Sequence, residues 1–89
     1  MTVKIYKEYL PLKPNVPIYT SLQGELLSVE QQQDHIVAYF NNNCKHYHRY
    51  NIYMVETGKD VDVGNAKYLK TIMFLDGNYV VHIYVEEIE

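Results

Sequence analysis

The chain has 89 residues, a net charge of −3, a single cysteine and 47% hydrophobic residues. That composition excludes an intrinsically disordered chain, which is poor in apolar residues, and a disulfide scaffold, since Cys44 has no second thiol to pair with. It also disfavours non-specific nucleic-acid binding, which needs clustered Lys and Arg. Its longest apolar runs, such as Tyr79-Val80-Val81, fall far short of the ~18 residues of a membrane span.

One domain is expected, covering residues 1–89, with a thin core that a partner subunit would supplement. Met1–Glu8 carries charge in its first apolar stretch and shows no leader pattern. The lone thiol suits a reducing compartment, and a cytoplasmic protein with no membrane association is expected. The compositional anomaly is tyrosine: ten Tyr against two Phe and no Trp. Tyrosine joins a rigid apolar ring to a polar tip, a combination favoured both in strands and at binding surfaces.

In chain order, residues 2–10 read as an edge strand, with Lys4, Lys7 and Glu8 interrupting both faces. Pro11, Pro14 and Pro17 recur every three residues, the turn of a polyproline II helix. Lacking the basic residue of a docking motif, they read as a stiff connector. Residues 17–22 suggest a short strand and Gln23-Gly24 a turn.

Ser28-Val29-Glu30-Gln31 has the pattern of a capping box, and Val29, Ile36 and Phe40 share one side of a helical wheel. The Asn41-Asn42-Asn43 run supplies a C-cap. A helix is expected over about 29–42. Residues 45–56 switch to period two and read as a strand, and 57–66 as a loop. Runs 67–75 and 78–87 flank Asp76-Gly77, a two-residue hairpin turn that sets Phe74 opposite Tyr79. The expected fold is α+β: an antiparallel sheet of about four to five strands, one helix over about 29–42 on one face, and a C-terminal hairpin over 67–87.

In that hairpin register one face collects Tyr68, Ile72, Phe74, Tyr79, Val81, Ile83 and Val85. The other collects Leu69, Met73, Val80 and Tyr84, with Thr71 and His82. A three-residue loop would reshuffle the sets and still leave both faces apolar. A single helix covers one face only, so the second needs the N-terminal segment, a second copy or another protein.

Candidate chemistry is sparse. Cys44, His46 and His48 stand at i, i+2 and i+4, on one face of a strand, and are weak candidates for a zinc site, with His82 or His35 as the fourth ligand. Lys45–Tyr50 is basic and aromatic and could stack on single-stranded nucleic acid, but nothing extends the patch. Asp60–Gly64 lacks the ligands of a calcium loop.

No nucleophile elbow, phosphate loop or dinucleotide fingerprint occurs. No enzymatic activity and no cofactor are expected. The best reading is a small accessory protein, an inhibitor or modulator of the kind carried by phages or mobile elements. It would bind a protein partner as a homodimer, with Tyr47, Arg49, Tyr53, His82 and Tyr84 as binding residues. A module that sequesters a small molecule or nucleotide, and a zinc-binding domain, are the alternatives.

Overall fold

A computed structural model describes residues 1–20, 24–43, 48–74 and 76–88. Seven strands follow one another: β1 (Ile5–Leu10), β2 (Pro17–Tyr19), β3 (Glu25–Gln32), β4 (His35–Asn41), β5 (Tyr50–Glu56), β6 (Lys67–Phe74) and β7 (Tyr79–Glu87). They form two antiparallel sheets, three-stranded in the order β1-β4-β3 and four-stranded in the order β2-β5-β7-β6. The chain passes between sheets after β1, after β2 and again after β4.

The helix expected over 29–42 does not form, and the α+β class with it. The described residues contain no helix, and 28–41 belongs to a β-hairpin in which Val29 faces Ala38 and Gln32 faces His35. The physical reason lies in Gln31-Gln32-Gln33-Asp34. On a helix this polar run interrupts the apolar stripe for two turns; as a hairpin tip it is solvated, and Gln33 takes the left-handed conformation at φ 52°. Beyond it, Ile36, Ala38 and Phe40 alternate at period two and are all buried. β-branched and aromatic residues dominate the segment, and both prefer the pleated sheet.

The second sheet does the covering once assigned to the helix. Leu10, Val29, Ile36, Ala38 and Phe40 from one sheet meet Ile18, Ile52, Met54, Ile72, Phe74, Val81 and Ile83 from the other in a continuous core. Tyr50, 7% exposed, joins this core. Its hydroxyl crosses between the layers and accepts a hydrogen bond from Leu26 N at 3.1 Å, beside the bulge between Leu26 and Ser28. At one flank β3 lies next to β6, and Lys70 Nζ meets Glu30 Oε1 at 2.7 Å.

The proline segment closes the other flank. Asn15 adopts φ 68°, which Asn tolerates. It donates its main-chain N–H to Met54 O at 2.9 Å, and its side chain exchanges hydrogen bonds with Glu56. Pro17 starts the edge strand β2, a position where its missing N–H costs no ladder bond.

Candidate functional site

The C-terminal hairpin pairs Phe74 with Tyr79, and Asp76 and Gly77 both have positive φ (55° and 85°), as a type I′ turn requires. Ile72, Phe74, Val81 and Ile83 point into the core. The opposite parity, Met73, Val80, His82 and Tyr84, therefore points outward from the four-stranded sheet. Tyr68, expected on the same face as Ile72 and Phe74, is 55% exposed. The register shifts between Tyr68 and Lys70, and the inserted residue reverses the parity of everything before it.

Consecutive registers then align one transverse row across all four strands of this outer face. Pro17 faces Tyr53, Tyr53 faces Tyr84, and Tyr84 faces Tyr68. Tyr19 lies one row away, opposite Asn51, and is 66% exposed. Met73, 67% exposed, marks the far end.

The row is held in place by a polar chain. Tyr68 packs edge-on against Tyr84, ring centroids 5.7 Å apart, and its hydroxyl meets Thr71 Oγ1 at 2.8 Å. Thr71 Oγ1 lies 2.9 Å from His82 Nδ1, and His82 Nε2 lies 2.9 Å from Thr57 Oγ1. A neutral imidazole needs one donor and one acceptor, and two rotatable hydroxyls supply them in either sense. These contacts hold the Tyr68 ring in one orientation on the face.

The outer face of the three-stranded sheet is different in kind. Lys7 crosses it to bond Gln32 at 2.9 Å while lying 4.8 Å from the Tyr9 ring, and Tyr9 packs edge-on against His35. Val37, on the same parity, is left fully buried. Here the protein's own side chains shield the apolar surface.

Of the sequence-derived binding residues, Tyr53, His82 and Tyr84 come together on the outer face of the four-stranded sheet. Arg49 is half-buried just ahead of β5, where its carbonyl accepts from Ile88 N at 2.8 Å. Tyr47 lies outside the described residues, as do Cys44 and His46 of the zinc candidates. His48 Nδ1 contacts the Glu87 carboxylate, and its ring stacks on Tyr50. Among the described residues no group of three or more His, Cys, Asp or Glu could hold a metal ion, and no helix is long and apolar enough to cross a membrane. Sequence reasoning did not name Tyr19, Tyr68 or Met73 as binding residues, although parity set Met73 on the face of Tyr84; the place of Tyr68 depended on a bulge.

An open pocket at the end of β5 is lined by Glu56, Thr57, Lys59, Asn78, Tyr79 and Val80. Glu56 Oε2 accepts from the Tyr79 hydroxyl at 2.8 Å, and Oε1 accepts from Asn15 Nδ2 at 2.8 Å. The Tyr79 bond, then the Asn15 bond, hold the Glu56 carboxyl below the usual carboxylate range against partial desolvation. Burial first, and then the bond to Glu56, push Tyr79 up to about 12. With both carboxylate oxygens engaged internally, this cluster ties the proline segment to the sheet.

A family model described as "Domain of unknown function (DUF7352)" matches residues 1–89. No curated protein and no solved structure matches the chain.

Proposed function

The chain belongs to that family, whose description assigns no activity, and from the geometry above we propose that the protein is a small binding module. It docks another protein on the outer face of its four-stranded sheet and works as a homodimer, in the cytoplasm, as an inhibitor or modulator of that partner. The observation that carries this reading is the transverse row Pro17, Tyr53, Tyr84 and Tyr68. A solvated sheet face normally alternates to polar residues; this one presents aromatic rings held by a hydroxyl–imidazole chain. Rigid tyrosines are the side chains that supply most energy at protein interfaces. The net charge of −3 and the scarcity of cations on this face favour a protein over a nucleic acid.

The test is matched affinity capture from cells that encode the protein, using wild type, Tyr53→Ala, Tyr84→Ala and, on the other sheet, Tyr9→Ala. One polypeptide should be retained by wild type and Tyr9→Ala and weakened about tenfold or more by each row variant. A partner bound equally well by the row variants would remove the face from consideration.

A further inference from the structure

The two sheets have four edges, and three are blunted. β3 and β6 each carry a register shift and are tied to one another by Lys70 and Glu30. β2 has three residues and begins with Pro17. β1 runs six residues in unbroken register, from Ile5 opposite Asn41 to Leu10 opposite Ile36, and among the described residues no strand pairs with its far side.

The hydrogen-bonding sense of that edge is fixed. Asn42 donates to Lys4 O at 2.8 Å, so Lys4, Tyr6, Glu8 and Leu10 turn their main-chain groups toward β4. Val3, Ile5, Lys7 and Tyr9 turn theirs outward. A second copy related by a two-fold axis normal to the sheet keeps odd residues opposite odd and even opposite even. Centring the pair on Lys7 sets the two lysines opposite one another, and centring it on Glu8 does the same with two glutamates; both are repulsive. Centring it on Tyr6 sets Lys4 opposite the partner's Glu8 and Glu8 opposite the partner's Lys4, with Tyr6 against the partner's Tyr6 between them. These are the non-hydrogen-bonded positions, where cross-strand side chains approach closest. Ile5 then exchanges main-chain bonds with the partner's Lys7, and Val3 with the partner's Tyr9.

We propose that the protein dimerises by antiparallel pairing of β1 with β1 of a second copy in this Tyr6-centred register, making one continuous six-stranded sheet. The inference rests on the dimeric reading above and adds its edge and register. Lys4 already lies 5.4 Å from the Tyr6 ring, and Tyr6 is 38% exposed; pairing would cover it with its own copy. A two-fold axis normal to this sheet leaves both four-stranded sheets on the same side. The two tyrosine faces then point in one direction, and a repetitive or dimeric partner could engage both at once.

Sedimentation equilibrium of the full chain tests this. Wild type should reach twice the protomer mass of 10.5 kDa. Lys4→Glu and Glu8→Lys should each weaken association about tenfold, and the double variant Lys4→Glu/Glu8→Lys should restore it, because only this register sets the two positions opposite. Ile5→Pro removes an N–H on the open side without touching the β4 ladder; it should be monomeric with an unchanged melting temperature. A wild-type monomer at millimolar concentration overturns the proposal. So does a dimer that survives Ile5→Pro, or a double variant as weak as the singles. Capture by the tyrosine row is read separately with Tyr84→Ala, which leaves the β1 edge intact, so failure of one reading is distinguishable from failure of the other.

Discussion

Replacing Tyr50 by Phe removes a hydroxyl that reaches from the four-stranded sheet to the other. The ring, 7% exposed and 6.3 Å from the Phe40 ring centroid, keeps its packing; what disappears is the acceptor 3.1 Å from Leu26 N. Leu26 is half-buried and packs against the core, so its N–H is poorly placed to find water. An unsatisfied buried donor costs about 1–3 kcal/mol. For a domain of this size each kcal/mol moves the melting temperature by about 4–8 °C, and the midpoint should fall by about 4–24 °C. Tyr19→Phe, on a 66% exposed side chain, should leave it unchanged. Thermal denaturation followed by circular dichroism gives both values. A loss below about 2 °C for Tyr50→Phe would mean that the Tyr50–Leu26 bond is incidental to holding the sheets together.

Three further perturbations address the frame. Gly24 has φ 142°, and a Cβ there would lie 2.5 Å from the Asn41 carbonyl oxygen; Gly24→Ala should cost about 2 kcal/mol in denaturant unfolding, whereas a neutral result would refute the close approach. At alkaline pH, the raised Tyr79 value favours its protonated form in the fold, so its contribution is complete below pH 10 and is lost as pH rises toward about 12. Tyr79→Phe should flatten that part of the stability profile. In acid the sign is reversed. The lowered Glu56 value makes its contribution present above pH 4.5 and lost as pH falls through the folded value, and Glu56→Gln should abolish that dependence.

The segments whose local chemistry admits one answer were legible in the sequence. Asp76-Gly77 can hardly be anything but a tight turn, and it fixed the parity that sends Met73, His82 and Tyr84 outward. Gln33-Asp34 is a weaker turn signal, since neither residue demands a positive φ, and an S-x-x-Q pattern occurs in strands as readily as at helix starts. Capping and wheel arguments therefore favoured a helix where alternation of Ile36, Ala38 and Phe40 was the stronger constraint. The bulge at Leu69 left no mark in composition, so Tyr68 was assigned to the wrong face. The four-stranded sheet is apolar on its inner face and aromatic on its outer one, and among the described residues no helix covers either. Its inner face is met by β1, β3 and β4, and its outer face carries the tyrosine row.

Tyrosine nitration read residue by residue by mass spectrometry, with and without bound partner, bears most directly on that row. In the free protein Tyr19 and Tyr68 should react quickly and Tyr50 hardly at all. With partner bound, Tyr53, Tyr68 and Tyr84 should be protected together while Tyr9 stays as reactive as before. Protection of Tyr9 and of Tyr39, which lies opposite Lys7 on the same face, with the row left reactive, would place the docking surface on the three-stranded sheet and contradict the account.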